Sequence, residues 1–425
     1  MSSDYTPMWK GLGLDLEAHD QLLSALGQAY GDIFLTQKGR PEGMGYFDFV
    51  MGEVHGLRIK ELLDAQKEGR KVVGAYCAFV PEEIVLAAGG ICVGLCSGAD
   101  FALEEVEKVL PRNTCALIKS SLGFKLGKVC PYIESVDLIV GELTCDGKKK
   151  AYETLSELTG KLYVMDMPQM KTEDGRRLLK SEYGRFLQAM EKLSGRTISV
   201  ASLREGIRIA NAKRAAIGRL NRLRAARPAP ISGLDALLVS QVSFYDDPVR
   251  FTGSVNAICD ELDARVRAGK GVFPAEAPRI LMSGCPMAVP NWKLPWIVEG
   301  AGAVIVGEES CIGERGLRNL VAEDGDTVDA LLEHLVDRYF QVDCAIFTPN
   351  PERTQHVAEM TRAYGADGVI HYGLNFCTPY LMESIPLARR MEEQGIPTLR
   401  IETDYSAEDA GQLRTRVEAF LELLA

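Results

Sequence analysis

The sequence has no apolar run approaching the roughly 18–20 residues that cross a bilayer, so no transmembrane helix is expected. Its start, MSSDYTPMWKGLGLDLEAHD, lacks a basic stretch followed by an apolar one, so no secretory leader is expected either. No GxxxxGK[ST] is present and the Gly-rich GAGAVIVG matches no nucleotide fingerprint, so the chain is not expected to bind ATP itself. CxxC pairs are missing, which argues against a local zinc knot and against dithiol exchange. Histidine is scarce, with five in 425 residues and none at zinc spacing from a cysteine. His371, six residues before Cys377, is expected to pack or bond locally. Positive charge is in deficit too, and the net charge of −11 excludes nucleic acid or an anionic membrane as the main partner. A cytoplasmic location is the expectation.

Against these absences stand 11 cysteines. Cytosolic thiols rarely form structural disulfides, and an odd number cannot pair completely. Burial, redox chemistry and metal ligation remain, and position along the fold has to separate them.

Residues 1–60 read as a helical segment. Short β-branched runs closed by Gly or Pro follow: KVVGAYCAF, GGICVGLC, VDLIVGEL and KLYVMDM. Helical pieces such as PEEIVLAAG and KKKAYETLSELTG lie between them, and residues 175–226 are helix-favouring without a strand signal. AARPAPISG (225–233) reads as a linker. The alternation resumes with PRILMSG, GAVIVGEES, CAIFTPN, DGVIHYGLNF and IPTLRIETDYS. This predicts an α/β chain of two doubly wound, flavodoxin- or Rossmann-like parallel-sheet domains (61–232 and 233–425) with additional helices. A cleft at the strand carboxyl ends would be the ligand site.

Cys92 and Cys96 lie in an apparent interior strand, Cys259 on an amphipathic helix and Cys344 before the run AIF, and all four read as structural. The other seven lie at strand ends, helix starts or turns in both halves: Cys77, Cys115, Cys130, Cys145, Cys285, Cys311 and Cys377. Thiolates arriving from distant loops suit an iron–sulfur cluster better than zinc. Three thiolates leave one iron of a cubane open, so six would serve two cubanes joined through their open irons. Lys148–Lys150 beside Cys145 read as a solvated helix start, or as charge compensation. Glu142 and Asp146 read as turn and cap residues, or as proton carriers. Asp404-Tyr405 reads as a strand end capped by Ser406.

The segments GAYCAFVPEEIVLAAGG, RNTCALIKSSLGF, CPYIESVDLIVGELTCDGKKKAYE, SGCPMAVPNWK, GEESCIGER and RIETDYSAEDAGQLRTRVEAF together resemble the 2-hydroxyacyl-CoA dehydratase component family. The resemblance runs from about residue 60 onward. It implies one [4Fe-4S] cluster held by three cysteines, here Cys77, Cys115 and Cys377. The further thiols Cys130, Cys145 and Cys311 bring the sequence closer to the double-cubane cluster proteins of that family, and Cys285 is the alternative to Cys130 or Cys311. That likeness implies an [8Fe-9S] double-cubane cluster on six cysteines, a homodimer, and low-potential reduction of small molecules. Electrons would come from a separate ATP-hydrolysing [4Fe-4S] activator. The alternatives are the [4Fe-4S] subunit of a dehydratase, or a non-catalytic electron carrier or cluster scaffold.

Overall fold

The structure is a computed structural model and describes residues 4–424. Four strands lie in the first half: β1 (Val72–Ala75), β2 (Ile91–Gly94), β3 (Leu138–Glu142) and β4 (Leu162–Met165). Four more lie in the second: β5 (Arg279–Gly284), β6 (Val304–Glu309), β7 (Gly368–Leu374) and β8 (Thr398–Thr403). Every pairing is parallel, and β5, β6 and β7 are buried along their whole length, as strands covered on both faces must be.

The first sheet has the order β2-β1-β3-β4 and the second β6-β5-β7-β8. These are the same arrangement, so the halves repeat an architecture although their residues show no repeat. Strand order reverses between β1 and β3 and again between β5 and β7. At each reversal the flanking connections leave on opposite faces and open a crevice beyond the strand carboxyl ends.

The expected run CAIFTPN is not a strand. Pro349 within it and Pro351 just after it remove ladder donors, Pro351 instead opens the helix Pro351–Ala363, and Phe347 turns inward against Phe79 and Phe340. AARPAPISG is not an exposed tether either, since Ala229 and Ile231 are buried and the Pro230 carbonyl accepts from Arg265. Between the sheets run two long helices, Glu173–Ser194 and Val200–Leu223. The first is capped by Thr172, whose hydroxyl accepts from the Gly175 amide. The second opens with a capping box between Ser199 and Ser202. The main apolar core extends through both sheets and these helices, and a smaller one packs on β5, β6 and β7 through Leu281, Val306 and Val369.

Candidate metal centre

The strand ends converge. Both sheets turn their carboxyl ends onto one cavity of about 160 Å3, walled on another side by Lys213 and Arg214 of the helix Val200–Leu223. A buried water needs roughly 10–15 Å3 of such volume, so the space suits a group of many atoms rather than one ion. Consistently, no three His, Cys, Asp or Glu side chains among the described residues close on a point that a single ion would fill.

Nine of the 11 cysteines line this cavity. Cys77, Cys96 and Cys145 follow β1, β2 and β3, while Cys285, Cys311 and Cys377 follow β5, β6 and β7. Cys115 arrives at the start of the helix Ala116–Leu126, Cys344 from the loop before Pro349, and Cys92 from within β2.

Electrostatic coupling groups six of them in two sets. Cys115 is coupled to Cys377, and Cys377 to Cys285. Cys311 is coupled to Cys344 and Cys77. Cys145 feels Cys115 from one set and Cys344 from the other. Cys115 and Cys344 are pushed well above the usual thiol range, first by the neighbouring thiol and then by burial. In Cys377 the neighbouring Cys115 works downward, but Cys285 and burial carry it well above. Crowded buried thiols hold their protons. Metal ligation would release them, because only the thiolate is a ligand.

Of the six residues expected from the sequence, the structure brings five together: Cys77, Cys115, Cys145, Cys311 and Cys377. Cys130 is apart from them, buried in the core at the start of the helix Pro131–Ser135, with its thiol raised to about 11 by burial. Its position before Pro131 marks a helix start that faces inward rather than to the cavity. Cys285 and Cys344 belong to the two sets instead. Cys285 was legible as a strand-end thiol. The signal for Cys344 was the pair of prolines that follows, which marks a loop where an apolar triplet suggested a strand. Cys92 and Cys96 also line the cavity, and burial raises both to about 12. Cys259 is buried on its helix, as expected.

Tight backbone approaches fix the two loops nearest these thiols. Gly284, directly before Cys285, has φ +131°, and a Cβ there would lie 2.0 Å from the Tyr372 carbonyl oxygen. A Cβ on Gly316 would lie 2.0 Å from the carbonyl oxygen of Cys311. Only glycine permits either path.

Charged groups behind the wall are buried and paired. Lys148 bonds the buried carboxylate of Glu142, and its Nζ also reaches the Tyr76 carbonyl at 3.5 Å. Burial alone would lower Lys148, yet Glu142 outweighs it and the ammonium is held charged. The expectation of a solvated helix start fails for Lys148, whereas exposed Lys150 pairs with Glu153. Glu309 bridges Arg315 and Arg353, and Tyr380 lies between these guanidiniums at 5.0 and 4.9 Å. Tyr380 Oη is 3.5 Å from Cys344 Sγ. His371 is buried against Arg353, which fits the expected local role. Asp404 rather than Ser406 closes the last turn, with its carboxylate accepting from the Ser406 amide.

Donor chemistry and architecture thus agree: soft thiols, no histidine among the described residues that line the cavity, and a space for several atoms. A buried donor without an acceptor, Nη1 of the cavity-lining Arg214, adds a site that an anionic occupant would satisfy. The family model for 2-hydroxyglutaryl-CoA dehydratase, D-component, matches residues 77–424. The chain belongs to this family. Within it, the chain is 41% identical over 372 residues to YjiM of Escherichia coli (strain K12), provisionally named a dehydratase subunit; that covers 85% of the chain and 94% of the relative. It is 28% identical to the (R)-phenyllactyl-CoA dehydratase beta subunit of Clostridium sporogenes, over 84% of the chain and 93% of the relative. One of the subunits of benzoyl-CoA reductase from Thauera aromatica matches at 26%, over 81% of the chain and 88% of the relative. Dehydratase-family relatives therefore include both dehydratase and reductase subunits. Among the described residues no helix is long and apolar enough to cross a membrane.

Proposed function

We propose that this chain is a low-potential reductase of small molecules whose cavity carries an [8Fe-9S] double-cubane cluster. In this reading Cys77, Cys311 and Cys344 hold one half and Cys115, Cys285 and Cys377 the other. Cys145, between the sets, is a reserve ligand, and Cys130 has no part. The observation that carries the reading is the convergence of nine thiols from both halves of the chain on one cavity, and the coupling of six of them in two triads supports it. When bound, such a group stores and delivers single electrons at low potential.

The chain's own residues supply the rest. Thiolate ligation and burial disfavour adding negative charge and so keep the potential low. Val93, Leu117, Ile118, Ile312 and Leu374 help exclude water from the cavity. A potential this low requires a coupled donor, and no phosphate-binding loop lies in the sequence. A separate ATP-hydrolysing [4Fe-4S] activator fills that role, with the chain acting as a homodimer in a reducing cytoplasm.

The names of the relatives favour a second reading, a [4Fe-4S] subunit of a dehydratase that needs a different partner subunit. Iron and acid-labile sulfide in anaerobically purified protein decide between them. About eight irons per chain support the double cluster, about four support the dehydratase subunit, and none rejects both. A self-associated complex that reduces a small substrate only with activator and ATP completes the test.

A further inference from the structure

The cavity has a second face, built by elements without sulfur. The helix Val200–Leu223 contains no cysteine, and neither do the helices Glu82–Ala87 and Val328–Tyr339 packed against it. From these three come Glu82, Lys213, Arg214 and Tyr339, all of which line the cavity. The first two helices touch through Gly206, where a Cβ would lie 2.3 Å from the Glu83 carbonyl oxygen.

Charge at this face does not balance. Lys213 Nζ pairs with Glu82 at 2.6 Å, and Arg214 Nη2 pairs with the fully buried Glu83 at 2.6 Å. A third cation, Arg338, lies 4.4 Å from the Tyr339 ring centroid. Its hydrogen bonds all go to backbone carbonyls, those of Gly316, Arg318 and Asn319. Burial lowers Arg338 to about 10, which leaves it charged at neutral pH. Three buried cations therefore meet two carboxylates, and one positive charge is left over. Arg214 is clamped as well as buried. Its Nη2 also reaches Tyr339 Oη at 3.2 Å, and that hydroxyl donates to the second Glu83 oxygen at 2.9 Å. Its Nη1 has no acceptor. A buried charge without a counter-ion is costly, and a fixed guanidinium with a spare N–H is ready for a carboxylate.

Resting on the reading of this chain as a reductase of small molecules, we propose that the Lys213–Arg214 wall is a substrate subsite that binds the carboxylate of a small organic acid. One surplus charge matches a monoanion rather than the dianion of a phosphate ester. Arg214 Nη1 makes the charge-assisted bond, while Glu83 and Tyr339 keep the guanidinium in place. The rest of the acid then shares the cavity with the thiols. No electron or proton moves in this binding step. A bound metal group is the rival anion for the same charge, and the two are separable.

The test is calorimetric titration of the anaerobic, iron-loaded protein with acetate and with acetamide, its neutral counterpart of the same shape. Acetate should bind at least about tenfold more tightly, and Arg214→Met should abolish that preference at the parental iron content. Glu83→Gln frees Arg214 and should tighten acetate binding severalfold while leaving acetamide alone. Equal binding of the two compounds by the parent, or a preference that survives in Arg214→Met, overturns the proposal. So does loss of iron together with acetate binding in Arg214→Met, because the arginine would then serve the metal group. If Arg214→Met does not fold, Glu83→Gln decides, and acetate binding that stays or weakens there overturns the proposal. A parent protein without iron defeats the reductase reading alone, and the same titration of the metal-free protein still decides the subsite.

Discussion

One end of the cavity is lined by helix beginnings and the other by side-chain cations. Cys115 and Cys377 are themselves the N-cap residues of the helices Ala116–Leu126 and Thr378–Glu392, so their sulfurs lie beside the free amides of a first turn. Lys148 lines the cavity with Cys77, and buried Arg315 lies over the ring of Tyr380, whose hydroxyl meets Cys344. Both devices favour negative charge, but they differ in what can remove them. Amides belong to the backbone and survive every side-chain substitution. The Lys148 ammonium can be deleted, which leaves the buried Glu142 carboxylate without its counter-ion, whereas Glu309 keeps Arg353 if the Arg315 guanidinium is lost. The helix-capped end should therefore tolerate change everywhere except at its cysteines, while the cationic end should be sensitive two layers deep.

The largest effect expected is on bound metal. Cys377→Ser and Cys311→Ser should each cut iron per chain by about half or more, whereas Cys130→Ser and Cys259→Ser should retain the parent content. Iron loss in Cys130→Ser with full retention in Cys311→Ser would break the division into two triads. Next comes the supporting layer. Lys148→Met strands the buried Glu142 carboxylate and should destabilise the metal-free protein by about 3–5 kcal/mol in urea unfolding. Adding Glu142→Leu should recover much of that. Equal stability of the single and double variants would count against a paired ammonium at this end.

A pH effect should be indifferent to either end. His55, stacked on His19 with ring centroids 5.1 Å apart, is lowered to about 3 by burial and then by the neighbouring imidazole. The folded protein keeps His55 neutral while the unfolded chain takes up a proton below about 6.5. Stability is therefore complete above that pH and falls as pH drops toward 3, by about 2 kcal/mol at pH 5. His55→Gln should flatten this slope, and Cys311→Ser and Cys377→Ser should leave it alone. Smallest is a hydroxyl comparison. Tyr380→Phe loses the contact with Cys344 and should cost about 1 kcal/mol. Tyr405→Phe, near Cys115 and Cys285, should be neutral in metal-free protein because its hydroxyl has no partner.

Much of the fold was legible because it depends on local pattern. Eight of the nine strand runs read from the sequence are strands, and the long helical stretch before the linker is two capped helices. The failure at 344–350 is physical: three apolar residues were enough to suggest a strand, but the prolines beside them could not complete a ladder. Strand-end cysteines were readable as such, and most of them do line the cavity. Which side of a helix start faces inward was not, so Cys130 and Cys145 looked alike although one is in the core and the other on the cavity. The pairing of thiols, and the burial of Lys148 behind them, are products of tertiary docking that no spacing encodes.

The shared strand order has a consequence for assembly. Each half contributes only some of the sulfurs that line the cavity, so on the proposed reading neither half retains metal before the two have docked. Iron uptake should be among the last events of maturation, and a chain severed near residue 230 should stay colourless until its pieces are reunited.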